Sequence, residues 1–181
     1  IENHSEEPLI VTIDQSFNVK GVGLVAIGYV QSGSISKFDD VEIIPSKQIG
    51  VAKSLQVMDD NVDTAFSGDR VGIALRNVKS QIIPKGSIIT NLGSKALEPV
   101  EKSNLTLEMA PFQKKTLMEG DVIHASSNLQ FVVGRILSLN NNKISIKWDN
   151  PLWIRVDGKS RITIVQLDAE PMRIIGVSGT T

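Results

Sequence analysis

The sequence predicts an all-β fold made of two consecutive β-barrels. Three observations carry this. No long stretch shows a clean 3.6-residue apolar period. Short apolar runs recur instead, broken by Gly, Asp, Asn and Pro. Aromatic residues make up only 4% of the chain while valine and isoleucine are abundant, a mix that favours strands with aliphatic cores. Many short strands at this spacing suggest closed sheets, because closure hides the edges that such strands expose.

Leu9–Ile13 is a first strand. Gly21–Gln31 is a second, bracketed by glycines, with Gly33 in the turn toward Ser34–Ser36. Asp40–Ile44 is stopped by Pro45, which has no amide proton for a ladder. Gly50–Met58 is long and ends at Asp59-Asp60-Asn61. Arg70–Leu75 leaves a Ser67-Gly68-Asp69 turn, and Gln81–Ile83 and Ser87–Thr90 flank Pro84-Lys85-Gly86. A break is expected over Leu92–Ser103, where Gly93, Ser94 and Pro99 sit among charged residues. This gives a first barrel over 1–92, a linker over 93–103 and a second barrel over 104–181. In the second half, Leu105–Met109, Asp121–Ala125, Leu129–Leu139, Lys143–Trp148, Ser160–Asp168 and Met172–Ser178 are strands. Asn140-Asn141-Asn142 suits a hairpin turn, since Asn tolerates positive φ. Two barrels of this size have small cores, and packing on each other would add stability.

The net charge of −1 supplies no global field toward nucleic acid or anionic lipid, so RNA contact requires a local patch. With no cysteines, disulfides and thiolate metal sites are excluded, and a reducing, cytoplasmic setting is compatible. No apolar stretch reaches the ~18 residues of a membrane helix, and no membrane partner is expected. The chain begins at Ile1, which reads as a piece of a longer protein.

Several spaced motifs agree in order across the first half. Gly21, Gly23, Val25, Gly28 and Val30 form a Gly-x-Gly-x-Val-x-x-Gly-x-Val pattern. The Gly33 turn, Asp39-Asp40-Val41-Glu42-Ile43, Ser67-Gly68-Asp69-Arg70-Val71-Gly72 and Lys85-Gly86 follow. This order resembles the second domain of elongation-factor-Tu-like translational GTPases. Glu119-Gly120-Asp121 and Pro171-Met172-Arg173-Ile174-Ile175-Gly176 more loosely resemble their third domain. Among those factors the likeness is nearest to the selenocysteine-specific elongation factor or an archaeal paralogue of it. The resemblance implies two barrels of the translation-factor type that follow an upstream GTPase domain, with aminoacyl-tRNA and the ribosome as partners. GTP and Mg are then implied for the parent protein and no cofactor for this chain.

Within that resemblance the acceptor-end pocket falls on Val22, Gln56, Met58, Asp59 and Arg70. The family's acidic position is Gln56 here, and two basic positions are Asp59 and Val22. The copy therefore loses positive charge where a tRNA end would sit. That implies a different acyl group, or a paralogue that has lost tRNA binding and works as a protein-interaction module. Phe38 stands where the family has a turn glycine, so this turn is expected to be rebuilt. A GTP-dependent enzyme such as an ATP sulfurylase that reuses the same barrels is a third reading.

No catalytic or metal site is expected. His4 and His124 lack a second partner at ligand spacing. Gly158-Lys159-Ser160 ends like a phosphate-binding loop, but Trp153 occupies the place of its first glycine and the context is a turn before a strand. The glycines of the second strand precede no helix, so they serve close backbone approach rather than a dinucleotide. Asn104-Leu105-Thr106 matches a glycosylation acceptor by chance. Lys143, Lys147, Arg155, Lys159 and Arg161 gather around Trp148 and Trp153 and are the candidate RNA-backbone contacts. Lys114-Lys115 is a second, weaker basic point. The competing reading has these lysines facing solvent on barrel strands while the tryptophans fill the core.

Overall fold

The computed structural model describes residues 7–79 and 81–179 and divides the chain into two compact units, 1–94 and 95–181. Among the described residues there is no helix, and none could therefore be long and apolar enough to cross a membrane. His4 lies outside the described residues.

The first unit contains β1 (Ile10–Val19), β2 (Gly23–Ser32), β3 (Ser34–Ser36), β4 (Asp40–Ile44), β5 (Gln48–Val57), β6 (Asp60–Val62), β7 (Thr64–Phe66), β8 (Arg70–Arg76) and β9 (Ile88–Asn91). The main sheet runs β4-β9-β1-β2-β8-β5-β6, and β4 also pairs with β5. That second pairing closes six strands into a barrel. β3 and β7 form a separate two-stranded ribbon. Alternation follows the pleat: Leu24, Ala26 and Val30 of β2 are buried, while Val25, Ile27 and Tyr29 face outward. Val11, Ile13, Leu55, Ile73 and Ile89 are fully buried in the core.

Gly28 packs directly against the backbone of β1. A Cβ there would run into the Thr12 carbonyl, which agrees with close approach rather than a nucleotide cradle as the reason for this glycine. β1 is longer than its apolar run because a bulge between Ile13 and Gln15 carries it into a polar, exposed half. Gln81–Ile83 is not a strand. The Ser16 hydroxyl takes the place of a ladder there, donating to the Ile83 carbonyl and accepting from the Ile83 amide.

The second unit contains β10 (Leu97–Thr106), β11 (Glu108–Met109), β12 (Val122–Ser127), β13 (Gln130–Asn140), β14 (Lys143–Arg155), β15 (Arg161–Val165) and β16 (Ile174–Gly179). Its sheet runs β10-β14-β13-β12-β15-β16-β11 and no ladder joins β10 to β16, so it is a half-barrel rather than a closed one. Most of the expected linker over 93–103 is strand β10. Pro99 is tolerated because β10 is an edge strand paired only with β14. The core contains Ile123, Ile136, Ile146, Ile162, Ile164 and Ile175. Trp148 joins it, with its indole N–H donating to the Ser103 hydroxyl at 2.9 Å. For Trp148 the core reading holds.

One turn occurs three times. In Ser36–Asp39, Phe66–Asp69 and Met118–Asp121, the last residue's amide donates to the first carbonyl at 3.0–3.2 Å. Its carboxylate accepts from the first residue's amide at 2.8–3.0 Å. The third position has positive φ each time: 98° at Gly68, 89° at Gly120 and 73° at Phe38. The Phe38 turn is thus not rebuilt. Phe38 adopts the left-handed conformation itself, held by its amide bond to the Ala52 carbonyl at 2.7 Å, and its ring stays 71% exposed.

Candidate functional site

A small depression on the outer wall of the first barrel is lined by Ile27, Gln56, Met58, Asp59, Arg70, Val71 and Gly72. Its origin is local. Gly72 pairs with Ile27 on one side and Gln56 on the other, and it has no side chain to fill the space between them. A Cβ at Gly72 would meet only Gln56, at 4.0 Å. The volume is about 230 Å³. That is below the ~300–1,000 Å³ of ordinary ligand cavities, so the depression takes one ring or one side chain rather than a nucleotide.

One rim is a strained turn. Val57 pairs with Asp60, leaving Met58 and Asp59 as a two-residue hairpin loop, and both have positive φ (51° and 68°). This is the geometry that favours Asn-Gly, and a non-glycine residue there costs roughly 1–2 kcal/mol. Met58 is 89% exposed despite that strain. The opposite rim is Arg70, which starts β8 after the Gly68 turn and whose guanidinium lies 6.0 Å from the Tyr29 ring centroid. The site therefore carries one cation and one carboxylate.

Four of the five predicted pocket residues, Gln56, Met58, Asp59 and Arg70, come together here. Val22 does not. It lies in the β1–β2 turn just before β2 begins, its amide donating to the Val19 carbonyl, and it does not line the depression. The expected loss of positive charge is also only partial, because Arg70 stays on the rim.

The predicted basic group separates into three places. Lys143 and Lys147 project outward from β14, alternating with buried Ile144, Ile146 and Trp148. Arg155 ends β14 and Lys159 lies in the turn after it, and both hold Asp157. The Arg155 hydrogen bond is the main cause that keeps the Asp157 carboxyl below its ordinary value, against a smaller opposing effect of burial. Arg161 begins β15, two strands beyond β13, and is exposed. Gly158-Lys159-Ser160 is a turn, with the Lys159 amide donating to Asp157 at 3.1 Å.

Sequence reasoning missed two cations. β14 pairs with β10 and β13, and Lys147 is directly opposite both Lys102 and Arg135. Strand register alone brings these three together, so no local motif announces them. His124 is stacked on Phe131, with centroids 4.8 Å apart, and no cluster of three metal-ligating side chains exists among the described residues.

Residues 23–90 match the model of elongation factor Tu domain 2. The chain is 29% identical to an uncharacterized protein of Methanocaldococcus jannaschii over 92% of its length and 52% of that protein's. It is also 29% identical to that organism's selenocysteine-specific elongation factor, over 93% of this chain and 40% of the factor. The chain thus spans about half, or less, of the curated relatives it matches. Among solved structures, apo translation elongation factor SelB from Methanococcus maripaludis superposes with a TM-score of 0.83 at 22% identity, over 99% of this chain and 42% of that one. A bacterial selenocysteine-specific elongation factor gives 0.81 at 19% identity, over 99% of this chain and 29% of that one. At those identities the two superpositions establish the fold.

Proposed function

We propose that this chain, whose residues 23–90 match the model of elongation factor Tu domain 2, is a translation-factor barrel module that grips the end of an aminoacyl-tRNA on its first barrel and RNA backbone on its second. An upstream GTPase domain of the parent protein, using GTP and Mg, would switch that grip, and the ribosome would be the second partner. The module itself contributes binding and no chemistry. The observation that carries the reading is the depression over Gly72. It lies on the barrel with the family match, it takes a single ring, and Arg70 on its rim is placed to meet an anionic neighbour of that ring. Arg70 beside Tyr29 offers a flat cation and an aromatic face together.

The test is binding of aminoacylated and deacylated tRNA by the full-length protein and by the 181-residue chain, titrated against salt. Preference for the aminoacylated form in the full-length protein supports the reading. The isolated chain should bind more weakly, because the contacts are shared with the missing domain.

Asp59 favours a second reading. Its carboxylate on the pocket rim repels an anionic ligand. A paralogue that has given up tRNA would use the exposed Met58 turn to contact protein instead. Failure to bind either tRNA form, with a flat salt response, selects this alternative.

A further inference from the structure

Every sulfur in the chain is a thioether, because it has four methionines and no cysteine. The four are not equally open. Met58 is 89% exposed, Met118 62% and Met109 45%, while Met172 is half-buried. Exposure governs how readily such a sulfur meets an oxidant, so Met58 ranks first.

Folding does not explain a methionine at this position. Its backbone is left-handed, a conformation that glycine or asparagine adopts at less cost. Its side chain buries almost nothing in return. The turn is nevertheless held firmly. Val57 pairs with Asp60, and the Gln56 side-chain amide donates to the Asn61 side-chain oxygen at 3.2 Å across β5 and β6. The thioether is therefore presented at a fixed place on the rim of the depression over Gly72. Asp59 is next to it, and Arg70 is on the opposite rim.

We propose that Met58 is a reversible oxidation site that weakens ligand binding at this depression. In the reduced state the thioether is suited to pack against the edge of a bound ring. Hydrogen peroxide serves as the oxidant. The sulfur lone pair attacks one peroxide oxygen, and an S–O bond forms as the O–O bond breaks. The proton of the transferred oxygen passes to the departing hydroxide, which leaves as water. Sulfur gives up two electrons and the peroxide takes them. The product is a sulfoxide, which is polar, and methionine sulfoxide reductases return it to the thioether. Its oxygen carries partial negative charge beside the Asp59 carboxylate. The rim thus loses an apolar contact and gains repulsion toward an anionic ligand. The inference rests on the aminoacyl-tRNA reading above and adds regulation of that same site.

The test uses the full-length protein as wild type, Met58→Leu and Met118→Leu. Each is treated with graded hydrogen peroxide, and each methionine is followed by peptide mass spectrometry. Aminoacyl-tRNA affinity is measured before oxidation, after it, and after treatment with methionine sulfoxide reductases of both epimer specificities. Met58 should gain its oxygen at the lowest dose. Wild type and Met118→Leu should then bind about three- to tenfold more weakly, and the reductases should restore them. Met58→Leu is compared only with itself, whatever its starting affinity, and oxidation should leave it unchanged. Oxidation elsewhere in the protein acts on all three forms alike, so this comparison isolates one sulfur. Met118 oxidised ahead of Met58 overturns the assignment of the site. A Met58 sulfoxide that leaves affinity unchanged overturns the switch while the proposed function stands, and so does a Met58→Leu form that weakens as much as wild type. No binding of aminoacyl-tRNA by reduced wild type overturns both.

Discussion

The two barrels solve one packing problem with different closures. In the first, β4 pairs with β9 and β5, so six strands ring a core of aliphatic side chains. In the second, β10 and β16 stay unjoined, and the chain turns at buried Leu107 so that β11 completes the far edge instead. The charges differ as well. Residues 1–94 hold eight Lys and Arg against eleven Asp and Glu, a net of −3. Residues 95–181 hold eleven against nine, a net of +2. A near-neutral chain thus hides two units of opposite sign, and the candidate polyanion surface is on the positive one.

The largest expected effect tests closure. Gly28→Ala forces a Cβ into the Thr12 backbone, which a closed ladder holds on both sides. Gly134→Ala forces one into the Trp148 ring of the open sheet. Both are overpacking changes with a cost of ~1–3 kcal/mol. We expect Gly28→Ala near the top of that range, about 3 kcal/mol, and Gly134→Ala lower, because a side chain yields more readily than a strand backbone paired on both sides. Denaturant melts that show equal losses would mean closure does not govern tolerance.

The recurring turn gives the next effect. Phe38 and Gly68 occupy the same left-handed position in two copies of one Asp-closed turn. Phe38→Gly should stabilise the first unit by about 1 kcal/mol, since it relieves the strain of a side chain at positive φ. Its exposed ring has little packing to lose. Gly68→Ala should destabilise by about the same amount. A loss of stability in Phe38→Gly would show that the ring makes contacts that exposure does not reveal.

These comparisons also mark what the residues could announce. The β-rich composition and the turn signals located most strands, because alternation and Gly-Asp pairs are local. The turn expected at Asp59-Asp60-Asn61 lies one residue earlier, at Met58-Asp59, because Met is no usual hairpin residue, and β6, which begins at Asp60, was missed with it. β10 was missed because Pro99 suggests a break, and only its edge position explains why a ladder tolerates it. The pocket was legible where motif order carried it, at Gln56, Met58, Asp59 and Arg70. Val22 failed because proximity in a pattern is not proximity on a strand. Lys102 and Arg135 needed register, which couples distant stretches of chain.

The smallest effect concerns acid. Asp14 and Asp63 of the first unit are each held below the ordinary carboxylate value by one lysine, Lys85 and Lys37 respectively. The Asp63 carboxylate is open to solvent and that of Asp14 is about a third exposed, so both pairs are screened. Asp157 of the second unit is held down chiefly by Arg155, whose side chain is only 11% exposed. A lowered folded-state value means that the stability is present above the ordinary 3.8 and disappears as pH falls through the depressed value. Asp157→Asn should therefore cost up to about 1 kcal/mol at neutral pH, after allowance for solvent screening. The difference from wild type should vanish once the pH is well below 4. Asp63→Asn should cost less at neutral pH. If Asp63→Asn proved the costlier change, burial of the partner cation would not be what separates the two units.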